Sequence, residues 1–281
     1  MGLAKERPRH WRGPAEIHPV EFDDDLARIA AALAAAAQAL SRFTPGEVAS
    51  RAKAGGDPVT EADTLVDALL RQALPRAGEG WLSEETHDDR SRLGCRRVWV
   101  VDPLDGTREF VQGLPEWSVS VALVVDGEPV AGGICNPARG ETFLGARGLG
   151  VTLDGAPVRV SPRAGLAGAE VLASRTEVER GQWRRFAGAP VAPFQVVAMG
   201  SVAYKLARVA AGLADATWTL VPKHEWDVAA GVALVLAAGG RIVAGTPEEE
   251  RFNRPEPLLT RLIAAPPQLL PEIEREIARS G

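Results

Sequence analysis

The chain has 281 residues, enough for one large domain or two modest ones around a substantial core. Apolar residues make up 46% and charged residues 25%, the balance of an ordinary water-soluble globular protein. A net charge of -5 argues against a protein that wraps nucleic acid, but leaves room for a small anionic ligand where a bound metal supplies positive charge.

Cys95 and Cys135 lack the spacing of a metal or redox pair and are read as reduced thiols in a cytoplasmic protein. The opening stretch MGLAKERPRHWRG is charged and has no apolar segment, so no signal peptide is expected. The alanine-rich run Leu26–Leu40 falls short of the ~20 residues of a membrane span.

Residues 1–20 read as an irregular lead-in. A helix is expected over 22–43, with Asp23, Asp24 and Asp25 at its start, where the helix dipole favours negative charge. Residues 53–58, with Gly55-Gly56 and Asp57-Pro58, read as loop. A second helix follows to about Ala73, opened by Thr60 and Asp63 in the pattern of a capping box. Arg97–Val101 then reads as a strand ending on Asp102. Ser118–Val125 and Val130–Cys135 read as a hairpin across Asp126-Gly127. Short strands are expected at 142–145, 151–153 and 158–160.

The second half alternates strands (171–174, 195–198, 214–220, 241–244, 262–264) with helices (177–186, 202–211, 227–238, 266–279), the pattern of an α/β layer. We place a boundary near 161–168. The expected organisation is a lead-in (1–20), an α+β unit (21–162) and an α/β unit (163–281).

The chemistry concentrates in Trp99-Val100-Val101-Asp102-Pro103-Leu104-Asp105-Gly106-Thr107. An apolar strand here delivers two carboxylates close together, where like charges repel and one pKa rises. A hard divalent cation removes that cost, since it takes carboxylate and carbonyl oxygens. Gly106 lets the backbone approach a ligand, and Thr107 begins a short helix whose first N–H groups suit an anion. The plainer alternative is a strand end followed by an Asp-Gly turn. Glu84-Glu85 within LSEET reads either as a solvated face or as a further ligand. Asp227, after Glu225-Trp226, reads as a helix cap or as a ligand. Asp63 reads as the capping partner of Thr60 or as part of the site.

Taken together, DPVTEAD with Asp63, LSEET with Glu84, WVVDPLDGT, GSVAYKLARVAAGLADA and EWDVAAG resemble the inositol monophosphatase family over about 22–243. The resemblance implies an α/β fold, a layered α-β-α-β-α sandwich. It implies Mg²⁺, two or three ions, held by Glu84, Asp102, Asp105, Asp227 and the Leu104 carbonyl, with Asp105 as a bridge. Asp63 and Thr107 would orient and deprotonate the attacking water. Glu84, Asp105, Gly106, Thr107, Asp227, Ser201 and Lys205 would meet the substrate. Lithium sensitivity and a homodimer are family expectations, with a small phosphorylated substrate and neither nucleic acid nor membrane as partner.

Ser83 before Glu84, Arg108-Glu109-Phe110 after the DGT, Glu225, and LSEETHDDRSRL with its acidic pair after the His look most like the bacterial 3'(2'),5'-bisphosphate nucleotidases, which convert adenosine 3',5'-bisphosphate to AMP. Lys205 would then meet the second phosphate, or be a solvated helix lysine. The spacing of Gly200–Gly212 points instead to inositol phosphatases. No clear aromatic platform for adenine is evident; Trp218 is a candidate, but it reads better as core. The alternatives are an inositol-1-monophosphatase, a broad sugar phosphatase acting on fructose 1,6-bisphosphate or histidinol phosphate, and a non-catalytic binding protein of the same fold.

Overall fold

The computed structural model describes residues 22–52, 58–186 and 194–280. The lead-in and most of the 53–58 loop lie outside the described residues. Helix α1 (Asp23–Leu40) is followed by the small pair β1 (Ser50–Ala52) and β2 (Pro58–Thr60), then helix α2 (Glu61–Ala73). Helix α1 ends three residues before Phe43, where Ser41 caps it and its hydroxyl donates to the Gln38 carbonyl at 2.7 Å. The Thr60–Asp63 capping box on α2 is present as read from the sequence.

A seven-stranded sheet comes next. In spatial order it holds β3 (Gly80–Ser83), β4 (Arg97–Asp105), β5 (Ser118–Val125), β6 (Glu128–Asn136), β7 (Glu141–Ala146), β8 (Gly150–Leu153) and β9 (Ala156–Val158). Helix α3 (Thr107–Val111) sits between β4 and β5 in sequence. Strand β9 starts earlier than 158 because the two-residue Asp154-Gly155 turn pairs Leu153 with Ala156 at once.

The second sheet has five strands in the order β11-β10-β12-β16-β14. Its strands and the helices around them are β10 (Glu170–Ser174), α4 (Arg175–Glu179), β11 (Gln195–Met199), α5 (Val202–Ala210), β12 (Ala216–Thr219), α6 (Glu225–Ala237), β14 (Arg241–Ala244), β16 (Leu262–Ala265) and α7 (Leu270–Ser280), while β13 (Lys223–His224) and β15 (Leu258–Leu259) pair with each other in a separate two-stranded sheet. The helix expected over 177–186 is split. Helix α4 stops before Gly181, which has φ 72°, and a 3₁₀ turn resumes over Gln182–Phe186. The closing helix starts at Leu270, after the Pro266-Pro267 pair that cannot continue a helix backward.

Three apolar layers bind these elements. Along β4, Trp99 and Val101 face one way, into a core with Ile29 and Leu33 of α1 and Val66 and Leu70 of α2. Val98 and Val100 face the other way, into a core with α5 and α6. A strand buried on both faces reads as a continuous apolar run, which is why β4 and β5 show no alternation in sequence. Helix α6 is apolar all round and packs on both sheets, as a middle-layer helix should. It lies so close to β6 that a Cβ on Gly132 would come within 2.7 Å of the Ala230 carbonyl. The third core joins Val171, Trp218 and Ile263 of the second sheet to Trp183, Phe186 and Ile273 outside it. The order of layers is therefore α1/α2, seven strands, α5/α6, five strands, then α4 and α7: the α-β-α-β-α sandwich.

Candidate active site

Register brings the first two acids together. Strand β3 runs parallel to β4 with Ser83 beside Val101, so Glu84 leaves β3 next to Asp102. The turn carrying Glu84 is held from below by Asp67. Its two oxygens accept from Ser83 Oγ at 2.5 Å and from Thr86 Oγ1 at 2.6 Å. Nothing in the sequence reading singled out Asp67. The available signal was its spacing: it lies four residues after Asp63, on the same face of α2. Asp67→Ala is expected to lower metal affinity and kcat/KM by about 10- to 100-fold, as loss of a ligand's support does elsewhere. Titration calorimetry with Mg²⁺ beside steady-state kinetics checks this.

Strand β4 does not end at Asp102, as the sequence suggested. It runs on to Asp105 through a register shift, because Pro103 has no N–H to give the ladder. The Leu104 N–H turns back to donate to Asp102 Oδ1 at 3.0 Å. Gly106 then reverses the chain with φ 95°, and a Cβ there would lie 2.8 Å from the Glu116 carbonyl. Helix α3 starts at once on Thr107, whose hydroxyl oxygen lies 2.9 Å from both the Leu104 carbonyl and Asp63 Oδ1. The other oxygen of Asp63 accepts from the Thr60 N–H at 2.8 Å and the Thr60 hydroxyl at 2.6 Å. So Asp63 is both the capping partner of Thr60 and the acid behind Thr107.

Asp227 arrives at the start of α6, where its Oδ2 accepts from the His224 N–H at 2.9 Å. Oxygens of Glu84, Asp102 and Asp227 lie within 4.8 Å of one another. Asp105 stands beside this group. Its Oδ2 is taken by Ser201 Oγ at 2.7 Å and the Ala203 N–H at 2.6 Å, at the start of α5. Ser201 adopts φ 50°, and its hydroxyl also accepts from the Tyr204 N–H at 3.0 Å.

Charge is strained here in the way the motif suggested. Burial first, then Glu84, Asp105 and Asp227, pushes the Asp102 carboxyl well above its ordinary value. Burial, then Asp105 and Glu84, pushes Asp227 up to about 8. Burial also raises Asp105, against the opposing Ser201 hydrogen bond and the Lys205 charge. Carboxylates this close, all oxygen donors, two of them buried (Asp102, Asp105) and two half-buried (Glu84, Asp227), fit a hard divalent ion.

A cavity of about 550 Å³ opens over these groups. Glu84, Asp102, Leu104, Asp105, Gly106, Thr107, Ser201, Lys205 and Asp227 all line it, and Asp63 stands behind Thr107. The Lys205 ammonium donates to the carbonyls of Met199, Gly200 and Ser201 at 3.3, 3.3 and 3.0 Å. Its three hydrogens are thus spent on the turn before α5, and burial lowers its pKa to about 8. Glu225 faces away: its oxygens accept from the Asn253 and Arg254 N–H groups at 2.7 and 3.2 Å. Asp88 also serves structure, pairing with buried Arg92, which in turn donates to Asn253 Oδ1 and the Arg254 carbonyl. The cavity lining also carries three cations that the sequence reading had not assigned to a role: Arg108, Arg180 and Lys223, and the Lys223 charge opposes the rise of the Asp105 and Asp227 carboxyls.

The sequence profile of the inositol monophosphatase family matches residues 21–280. The chain is 36% identical to the inositol-1-monophosphatase of Rhizobium meliloti (strain 1021) over 194 residues, which covers 67% of this chain and 72% of that one. It is 38% identical to the histidinol-phosphatase of Mycobacterium tuberculosis over 234 residues, 79% of this chain and 87% of that one. The crystal structure of CysQ from Bacteroides thetaiotaomicron superposes with a TM-score of 0.73 at 25% identity, covering 88% of this chain and 98% of that one. The profile match over nearly the whole chain, on a fold and an acid cluster of this kind, places the protein in the inositol monophosphatase family.

Proposed function

We propose that this phosphatase hydrolyses adenosine 3',5'-bisphosphate to AMP and phosphate, as a 3'(2'),5'-bisphosphate nucleotidase. The observation that carries the choice of substrate is the set of cations in the cavity lining. Arg108, Arg180 and Lys223 line the cavity in addition to the carboxylate cluster, and a polyol offers such cations only neutral hydroxyl acceptors, without the charge that makes such bonds strong. A second phosphate supplies that charge. Because Lys205 is held on three carbonyls, the second phosphate falls to these three residues and not to Lys205.

Glu84, Asp102, Asp227, the Leu104 carbonyl and the Asp105 oxygen not held by Ser201 would hold Mg²⁺, two or three ions. When bound, the metal supplies Lewis acidity toward the phosphate and lowers the pKa of water at the site. The chain's own groups do the rest. Thr107 Oγ1 accepts a hydrogen bond from the attacking water and passes its own proton to Asp63 Oδ1, which Thr60 holds in place. The Gly106 and Thr107 N–H groups meet the phosphate oxygens as charge builds on them. The Ser201 hydroxyl fixes Asp105 and so contributes to the site from behind.

A second reading, an inositol-1-phosphate or histidinol phosphate phosphatase, draws on the named relatives and on the absence of any aromatic side chain among the described residues lining this cavity. A phosphate-release panel in Mg²⁺ separates the readings. Adenosine 3',5'-bisphosphate is expected to exceed inositol 1-phosphate and histidinol phosphate, which lack a second phosphate, in kcat/KM by about tenfold or more, the worth of one charge-assisted contact. Faster turnover of inositol 1-phosphate sinks the nucleotidase reading, and absence of Mg²⁺ binding by calorimetry sinks the enzyme reading with it.

A further inference from the structure

We infer that the Lys205 ammonium is a tethered monovalent cation that holds the turn at 199–201 in the shape Asp105 requires, which makes Lys205 a positioning residue for the carboxylate cluster; this rests on the metal role given to Asp105 above. A buried charge costs free energy unless it is compensated, and Lys205 is only 4% exposed. Among the described residues no carboxylate hydrogen-bonds to it. Its partners are three backbone carbonyls, those of Met199, Gly200 and Ser201, at 3.3, 3.3 and 3.0 Å. Backbone carbonyls converging on one point are what a desolvated potassium ion takes in place of its water. The Asp105 and Glu109 charges favour the cation there, and Lys223 opposes it.

The turn needs such a brace. Carbonyl dipoles aimed at one spot repel one another unless a positive charge sits between them. Ser201 also adopts φ 50°, a conformation that residues other than glycine rarely take. Glu116 holds the turn by its N–H side: Oε2 accepts from the Gly200 N–H at 2.9 Å and pairs with Arg175.

What the turn delivers is Asp105. Ser201 spends its one hydrogen on Asp105 Oδ2, and its hydroxyl oxygen accepts from the Tyr204 N–H and lies 3.0 Å from Ser118 Oγ. The Ala203 N–H meets the same Asp105 oxygen. Both donors follow directly on the carbonyls that Lys205 gathers. If the turn loosens, Asp105 loses the two together, and the oxygen left for metal loses its fixed direction.

Lys205→Ala leaves the three carbonyls in place and opens a path to them, since Lys205, Gly200 and Ser201 line the cavity. The test is Mg²⁺ calorimetry on the full chain in two salts at equal concentration. In tetramethylammonium chloride, whose cation is too large for the site, the variant is expected to bind Mg²⁺ about 10- to 100-fold more weakly than wild type, as when a ligand loses its support. Ammonium chloride is expected to restore most of that loss and, in chelator, to raise the melting temperature of the variant; wild type is expected to show neither response. A lysine that only fills space, or that only meets phosphate, gives no such ion-specific rescue. Where Lys205→Ala does not fold, Lys205→Gln decides: it keeps donor hydrogens without the charge, and Mg²⁺ affinity equal to wild type in it overturns the inference. Equal behaviour of folded Lys205→Ala in the two salts also overturns it. Wild type that binds no Mg²⁺ sinks the metal reading of Asp105 instead, and the melting curves in chelator still decide whether the carbonyls take a cation.

Discussion

Asp102→Asn is expected to reduce Mg²⁺-dependent phosphate release on the order of a thousandfold, the scale of losing a preorganised electrostatic group, while the metal-free protein melts at the same temperature as wild type or higher. The two halves of that result have one cause. Asp102 is buried beside Glu84 and Asp227, with oxygens of the three within 4.8 Å. Two unit charges at that range repel by about 3 kcal/mol at an effective dielectric near 20. Asn keeps the shape and can still accept from the Leu104 N–H, but removes one charge from the group. Without metal this is relief. With metal it is loss, because the ion has fewer anionic donors. The discriminating measurement is a pair of melting curves, in chelator and in saturating Mg²⁺. Wild type is expected to gain about 2.7 kcal/mol at a hundredfold excess over Kd, and the variant little. Full turnover in the variant removes Asp102 from the metal site.

Glu79→Gln is expected to destabilise the fold strongly, although Glu79 does not line the cavity. Glu79 Oε1 accepts from Arg97 Nε at 2.9 Å, and Oε2 from Arg28 Nη2 at 2.7 Å, Trp99 Nε1 at 2.8 Å and the Arg76 N–H at 2.9 Å. Asp25 completes the cluster by pairing with both arginines. Although burial opposes it, the hydrogen bond from Arg28, followed by those from Trp99, Arg76 and Arg97, holds the Glu79 carboxyl down at about 2. Removing one side of a buried ion pair costs about 3 kcal/mol, or roughly 6–12 °C in a chain of this size. The pH dependence has a definite sign. A carboxyl held at about 2 in the folded chain and near its ordinary 4.5 when unfolded contributes about 3 kcal/mol that is fully present above that ordinary value. The contribution drains away as pH falls from 4.5 toward 2. The gap between wild type and Glu79→Gln should therefore narrow from about pH 6 to about pH 3 in urea unfolding. A gap that stays constant excludes charge as the source.

Much of this architecture was legible because local signals agreed with the packing. The Thr60–Asp63 cap, the Asp126-Gly127 hairpin and the apolar β4 and β5 each carried their own evidence, and each is present. Elements set by tertiary contacts were less visible. The break at Gly181 had a local signal that the reading passed over, since glycine readily takes the left-handed conformation that ends a helix, but the passage of β4 through Pro103 depends on what lies against the chain, and no window of sequence contains that. The acids divide in the same way. The sequence brought Asp63, Glu84, Asp102, Asp105 and Asp227 forward together. Only the fold shows that Glu225 and Asp88 serve the 253–254 loop. Asp67, which supports the Glu84 turn, looked like any polar residue on an amphipathic helix. Lys205 could not be read from its position in the chain, since its partners are carbonyls of the preceding turn.

Helix α6 has a consequence for how substrates enter. It carries Asp227 at its first turn and is held on both sides, by the seven-stranded sheet and by the second sheet. Many two-layer enzymes open like a jaw and close on the substrate. Here such a hinge would tear α6 from one sheet and part Asp227 from Glu84 and Asp102. The body of the molecule is a fixed frame, and admission to the cavity is left to the loops at its rim.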